Sequence, residues 1–242
     1  MTFIDLLSGF ALPHALIGTV ALATFWTAGL ARKGSPLHKS VGKVYLIAMV
    51  GIVLTAVPLT LSMALQSHWV GATFLAYLVI LVSHSCRMAW LAIRHKRDFA
   101  RYTATGFRIS ASLLAVSGAV VVVVGVQFEA WLLIIFGLLG PLGGWEAWNL
   151  IHKGPQSPKW WLKEHYGAMI GNGVATHIAF MQIGLMRLIP ELGWPAVQHM
   201  AWFGPLALGL AAGWWLDHRY IRPRSRVVPS VQATSQVGGP HG

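Results

Sequence analysis

Long apolar runs separated by short polar linkers dominate the pattern along the chain. Seven runs are close to or longer than the ~20 residues that a helix needs to cross a bilayer. They cover about residues 10–31, 42–65, 69–93, 107–128, 130–151, 165–188 and 195–217. Since lipid offers no partners for unpaired backbone groups, each run is predicted to be helical. The pattern therefore predicts an all-α integral membrane bundle of seven helices.

The basic residues predict how this bundle lies in the membrane. Of the 18 lysines and arginines, 16 fall in the linkers and terminal segment of one side, and the opposite linkers hold only Arg187. Cytoplasmic loops carry such an excess, so we expect an outside N-terminus and a cytoplasmic C-terminus in a bacterial inner membrane. Residues 1–222 form one seven-span domain, and 223–242, rich in Ser, Gly, Val and Gln, form a predicted disordered cytoplasmic tail.

Composition supports the same class of protein. Charged residues make up only 10% of the chain, against about 25% in soluble domains, and the mean hydropathy is +0.60. The net charge of +11 follows from the one-sided linkers, so the lipid bilayer is the expected partner and nucleic acid is not. With Cys86 as the only cysteine, an intramolecular disulfide and a multi-cysteine metal site are excluded.

Histidines within the spans are the first candidate site. Counting depth along ideal helices pairs His14 with His199 near the outer face and His84 with His177 near the centre. Histidines facing each other from different helices suit the axial ligation of haem b, or else a transition metal. Such a protein would transfer electrons, with quinone or a small reductant as partner. Alternatively, each ring only hydrogen-bonds a neighbouring helix and no cofactor is bound.

Two further groups of charged or titratable residues are candidates. Arg87 and Glu146 are predicted to form an intramembrane ion pair, although Arg87 also suits a haem propionate or a proton path. His38 and His165 stand at the cytoplasmic edge among lysines. They either belong to the ordinary positive-inside charge or form a site for an anionic ligand or a quinone.

Two segments of the sequence resemble a known family. These are "PHALIGTVALATFWTAGLARKGSPLHKSVGKVY" and "WEAWNLIHKGPQSPKWWLKEHYGAMIGNGVATHIAF", with the span starts His38-x3-Gly42 and His165-x3-Met169. They resemble a bacterial family of polytopic membrane proteins of unknown function, in which an Asp is more usual at the position of Glu146. The resemblance implies several spans and no particular reaction. The spanning histidines are also similar in architecture to those of diheme b-type transmembrane cytochromes, which implies haem.

Three other functions fit the same residues, and whether the protein is an enzyme stays open. A proton-coupled transporter or channel without a cofactor would use a relay of His14, His177, His199, Glu146 and Arg87. A membrane metal-dependent hydrolase would need Ser83, His84 and Asp217, which lack the expected spacing. An assembly factor for another membrane complex would need no catalytic group. An absorption spectrum and a metal analysis separate these alternatives.

Overall fold

The structure is a computed structural model that describes residues 2–185, 189 and 194–221. Over these residues the chain is helical and contains no strand. The helices are α1 (Phe3–Ser8), α2 (Ala11–Leu30), α3 (Pro36–Leu65), α4 (Trp69–Arg94), α5 (Phe99–Tyr102), α6 (Thr105–Gln127), α7 (Trp131–Lys153), α8 (Trp160–Ala179) and α9 (Pro195–Leu216), with π-helical segments at Phe180–Leu185 and Asp217–Ile221. The predicted tail, 223–242, lies outside the described residues.

Five helical segments are long and apolar enough to cross a membrane. They are Phe3–Leu30, which joins α1 and α2, and the helices α3, α4, α6 and α7. Large apolar side chains stand exposed on them, such as Leu54 at 66% and Val116 at 64%, as expected for surfaces that face lipid. The predicted all-α membrane class is confirmed. Helices α8 and α9 match the sixth and seventh predicted spans but fall outside this apolar set, so the count of seven stays a prediction.

The start of α3 shows how the sequence sets a helix boundary. Gly34 has a φ of +79°, in the left-handed region that favours glycine. Ser35 then caps the helix, since its side chain accepts a hydrogen bond from the His38 backbone N–H at 3.2 Å, and Pro36 occupies the first turn. This Gly-Ser-Pro order fixes the position of His38 one turn into the helix.

Helices α4 and α8 pack against each other and form the centre of the bundle. Helices α2 and α3 pack on one side, α6 and α7 on the other, and α9 lies against α8. We call the end of the bundle where α4 ends and α6 and α8 begin the basic end, because the basic linkers lie there. At this end Tyr102, Phe107 and Trp160 belong to one buried apolar cluster.

Glycines bring α6 and α7 into backbone contact. A Cβ on Gly118 would lie 2.6 Å from the Gly137 carbonyl oxygen, and one on Gly140 would lie 2.5 Å from the Leu114 carbonyl oxygen. Small residues permit such close approach of helices in membranes. Although α7 contains Pro141, it continues as a helix from Trp131 to Lys153.

Candidate functional site

The two histidines predicted to form a central pair contact different helices. The Nδ1 of His84 on α4 lies 2.9 Å from the Ser110 Oγ of α6. His177 on α8 accepts a hydrogen bond from the Trp26 Nε1–H of α2 at 2.9 Å, and its Nδ1 donates to the Gly173 carbonyl at 2.7 Å. The hydrogen bonds of His84 therefore run to α6 and those of His177 to α2 and to its own helix, and none joins the two rings.

The two histidines of the predicted outer pair are also apart. The Nδ1 of His14 lies 2.9 Å from the Thr55 Oγ1 of α3. His199 stacks on Trp131 of α7, with ring centroids 5.7 Å apart and an interplanar angle of 10°. Over the parts of the chain that the structure describes, no group of three or more His, Cys, Asp or Glu side chains is arranged to hold a metal. Haem or metal binding through these pairs stays a prediction, without support from the ring contacts.

The predicted ion pair between Arg87 and Glu146 is not formed. Among the described residues, Lys163 and Asp217 form the one ion pair within 4.0 Å. The Arg87 guanidinium lies against Gly106 of α6, whereas Glu146 is exposed on α7. The physical reason is that α4 packs mainly against α3, α6 and α8 and only slightly against α7, the helix that carries Glu146. Helices that are apolar all round gave no information on this rotation.

His38 and His165 each bind a backbone carbonyl at the basic end. His38 Nδ1 lies 3.0 Å from the Ala28 oxygen of α2, and His165 Nδ1 lies 2.9 Å from the Ala89 oxygen of α4. Lys33 Nζ also donates to the Ala28 oxygen, at 3.3 Å. These contacts connect helix ends, and a shared ligand between the two rings stays a prediction.

The residues required by a hydrolase do not converge. Ser83 is exposed and donates to the Val79 carbonyl of its own helix, whereas neighbouring His84 is buried against α6. Asp217 accepts a hydrogen bond from the Tyr166 hydroxyl and faces Lys163. Ser83 is therefore bonded within its own helix, and the hydroxyl that His84 contacts is that of Ser110.

A different set of polar groups converges at the basic end. This basic-end cluster consists of His84 and Arg87 of α4, Tyr102 of α5, Ser110 of α6 and Glu164 of α8. Fully buried Tyr102 donates a hydrogen bond from its hydroxyl to Glu164 Oε2 at 3.0 Å. The rings of Phe107 and Trp160 hold Tyr102 in place, with centroids 5.1 and 5.0 Å away. Four helices thus meet around one acid and one unpaired cation.

His84 has one ring nitrogen in a hydrogen bond and one without a partner. Its Nδ1 lies 2.9 Å from the Ser110 Oγ, which also lies 3.0 Å from the Phe107 carbonyl oxygen. Among the described residues, Nε2 has no hydrogen-bond partner. Since His84 is only 6% exposed, the cluster contains a buried imidazole with an unpaired ring nitrogen.

Arg87 is the unpaired cation of the basic-end cluster. Its Nε is buried and has no hydrogen-bond partner in the described part of the chain. A Cβ on Gly106 would lie 2.5 Å from Arg87 Nη2 and 3.0 Å from its Cζ, so the guanidinium occupies the space that a side chain would fill. Glycine at position 106 is therefore what lets Arg87 lie against α6.

The environment of Tyr102 keeps its hydroxyl protonated. Burial raises the pKa of Tyr102, and the negative charge of Glu164 and the hydrogen bond to it raise this pKa further. The positive charge of Arg87 acts in the opposite direction and is the smaller influence. The phenol is thus a fixed donor to the Glu164 carboxylate.

Sequence reasoning missed Glu164 and Tyr102. Both lie in short basic segments, "KEHY" and "ARYT", where charged and polar residues are expected to be solvated. The available signal was aromatic residues close in sequence, such as Phe99 and Trp160, which now cover them. Burial by the short helix α5 was not visible in a hydropathy pattern.

The stretch of α8 that follows Glu164 forms a polar contact with its neighbours. Asn172 is fully buried, donates from Nδ2 to Cys86 Sγ at 3.6 Å, and leaves its Oδ1 without a partner. Thr176 donates from Oγ1 to the Asn172 carbonyl at 2.8 Å. Closer to the basic end, Ser85 donates to the Ala168 carbonyl at 3.0 Å. The polar residues of α8 therefore face other helices and not lipid.

The architecture and the contacts define an α-helical membrane protein with a polar interior at one end. Comparison of the chain with family models, with curated proteins and with solved structures gives no match. The resemblance to a polytopic membrane family therefore stays a prediction.

Proposed function

We propose that the chain is a proton-translocating transport protein of the bacterial inner membrane that works without a redox cofactor. Its proposed topology has seven spans, with the N-terminus outside and the basic end in the cytoplasm. The observation that carries the proposal is the buried His84, whose Nε2 is free and which lies one turn from the unpaired Arg87. Ionisable groups inside membrane bundles usually mark an ion or proton path.

The chemistry of the basic-end cluster supports proton transfer. His84 Nε2 can take up a proton, and Glu164 offers a carboxylate held by the Tyr102 hydroxyl. Arg87 does not lose its proton in proteins, so it contributes a fixed positive charge that lets the neighbouring groups release theirs. Two exchangeable sites beside one permanent charge suit a relay better than a rigid structural contact.

Changes in helix geometry add support for a transport function. Helix α8 continues beyond Ala179 as a π-helical segment, Phe180–Leu185, and such segments occur frequently at functional sites. Proline also lies inside α3 and α7, at Pro58 and Pro141. Proline leaves a backbone carbonyl of its helix without the usual hydrogen-bond donor, and this carbonyl needs an alternative partner. The helix can bend at such a position, beside a proton path through the interior.

Electron transfer through haem b is the weaker candidate. It requires rings of different helices to converge, yet His84 contacts Ser110 and both nitrogens of His177 are already hydrogen-bonded. Ligation of haem iron through Nε2 would leave both Nδ1 contacts in place but would break the hydrogen bond from Trp26 to His177. The proton-transfer proposal uses the side chains where they lie.

Reconstituted vesicles test the proposal. Purified protein is placed in liposomes with a trapped pH-sensitive dye, and a potassium diffusion potential drives proton entry. We expect wild-type vesicles to acidify at least tenfold faster than protein-free vesicles, and Glu164→Gln to lose most of this rate, because the amide cannot carry the proton.

Glu129→Gln is the matched control, since it neutralises an acid that is exposed in the linker between α6 and α7, at the opposite end of the bundle from the basic-end cluster. It should retain at least half of the wild-type rate. Wild-type vesicles no faster than protein-free ones, or equal losses in both variants, would contradict the proposal.

A further inference from the structure

The charge balance around Arg87 points to a missing partner. A guanidinium within a membrane-spanning helix is costly unless an anion or several hydrogen-bond acceptors neutralise it, and Arg87 is only partly exposed. In the described part of the chain no carboxylate lies within 4.0 Å of Arg87, and its Nε has no acceptor at all. The polypeptide itself therefore leaves this cation uncompensated.

The neighbours of Arg87 do not remove this cost. Its guanidinium lies against Gly106, in the first turn of α6, where the helix dipole is positive and adds repulsion. In the described part of the chain Glu164 forms no ion pair with Arg87 within 4.0 Å, and its Oε2 accepts the Tyr102 hydroxyl. An anion from outside the chain would neutralise the guanidinium.

We propose that Arg87 binds a small oxyanion, a carboxylate or a phosphate group, inside the basic-end cluster. The planar guanidinium presents Nη1–H and Nη2–H side by side, and this pair matches two oxygens of one oxyanion. His84 lies three residues before Arg87 on the same face of α4 and offers its free Nε2 to a protonated oxygen of that ligand.

Gly106 has a specific role in this site. It provides the space against which the guanidinium lies, because a methyl group there would meet Nη2 at 2.5 Å. Replacing Gly106 by alanine would push the guanidinium away from α6 and misplace its donors without changing any charge. This gives a variant that separates geometry from electrostatics.

The biological meaning of the inference rests on the proposed transport function, as the oxyanion would be the species that moves with the proton. Binding itself is measured separately. Purified protein in detergent is titrated with sodium acetate or sodium phosphate, and with sodium chloride at equal ionic strength, while thermal unfolding is followed by circular dichroism. We expect saturable stabilisation by acetate or by phosphate that chloride does not reproduce, and the active salt identifies the ligand group.

Variants of the site decide whether Arg87 is responsible. Arg87→Gln should weaken the apparent affinity at least tenfold, and Gly106→Ala should weaken it severalfold. Arg87→Lys keeps the charge and should bind with intermediate affinity, which guards against a variant that fails to fold. Gly42→Ala on α3, where a Cβ meets nothing within 4 Å, and Arg94→Gln at the end of α4 should bind like wild type.

Two results overturn the inference. One is equal stabilisation by all three salts, and the other is unchanged affinity in folded Arg87→Gln. Oxyanion binding without proton flux in vesicles would contradict the proposed transport function but support the oxyanion site. Proton flux without oxyanion binding would contradict the site but support the transport function.

Discussion

The α6–α7 pair and the α4–α8 pair hold helices together by different means. Within α6 and α7, both fully described, glycines allow backbone contact, and no side-chain hydrogen bond joins the two helices. The α4–α8 pair is joined by polar contacts that include His165 Nδ1 to the Ala89 carbonyl and Ser85 Oγ to the Ala168 carbonyl. One interface is made by close packing, and the other by hydrogen bonds between buried groups.

This difference distinguishes polar groups that join two helices from polar groups that stay available for a function. An interhelical hydrogen bond in a membrane contributes on average only about 0.6 kcal/mol, so the hydrogen bonds between α4 and α8 add little to what packing contributes. The continuation of this polar interface into the basic-end cluster is where unpaired groups, His84 Nε2 and Arg87 Nε, are found.

Gly140→Ala is expected to have the largest effect on stability. The new Cβ would lie 2.5 Å from the Leu114 carbonyl and 2.7 Å from Gly118 Cα, and backbone atoms cannot move aside cheaply. We expect a loss of about 2–3 kcal/mol, measured by unfolding in detergent. Gly18→Ala on α2, where a Cβ meets nothing within 4 Å, is the control and should be neutral. Equal stability of the two variants would show that α6 and α7 are not in backbone contact.

Tyr102→Phe should have an intermediate effect. It removes the hydroxyl that donates to Glu164 at 3.0 Å and leaves a carboxylate oxygen short of a partner. The expected loss is about 1–2 kcal/mol in the same unfolding measurement. Phe99→Leu, which keeps the apolar cover but touches no hydrogen bond, is a packing control. If Glu164→Gln suppressed the effect of Tyr102→Phe completely, the hydrogen bond would be its cause, and purely additive losses would argue against it.

Asn172→Leu should change stability by less than about 1 kcal/mol. The variant loses one weak contact to Cys86 Sγ but also removes a buried Oδ1 that has no partner, and these two effects oppose each other. Asn172→Asp is the informative contrast, since it would bury a charge in the same place. A loss above 2–3 kcal/mol for the leucine variant, large on the usual scale for polar-to-apolar changes, would mean that Oδ1 has a ligand.

The smallest expected effect concerns the absorption spectrum. Since His84 and His177 contact different helices, neither His84→Ala nor His177→Ala should change the difference spectrum recorded with and without dithionite. The cultures are supplied with haem and the protein is purified without added metal, so that the absence of a Soret band does not result from a lack of haem. A Soret band in wild type that disappears in both variants would restore the haem hypothesis.

The sequence predicts the class of protein well because that class depends on lengths and composition. Five of the predicted apolar runs appear as helices able to span a membrane, although α3 begins at Pro36 and the run was predicted to begin at about residue 42. The rotation of each helix about its axis is not predicted by lengths and composition. A depth count along ideal helices matched His84 with His177, whereas their rings face α6 and α2. Depth is set by one helix alone, but direction is set by its neighbours.

The basic-end cluster illustrates what hydropathy omits. Glu164 is placed by the short helix α5, whose Tyr102 turns inward because Phe107 and Trp160 surround it. In the sequence Gly106 is one small residue among many, yet in the fold it provides the space in which the Arg87 guanidinium lies. Such roles depend on contacts between segments far apart in sequence, which no single-segment pattern contains.

The most direct test of the account compares two histidines in the same vesicle assay. His84 has a free Nε2 in the basic-end cluster, whereas both nitrogens of His177 are hydrogen-bonded. The account predicts that His84→Gln lowers the proton flux by about 100-fold, the scale of a lost proton-transfer group, and that His177→Gln retains at least half of it. Undiminished flux in folded His84→Gln, or a greater loss in His177→Gln, would contradict it.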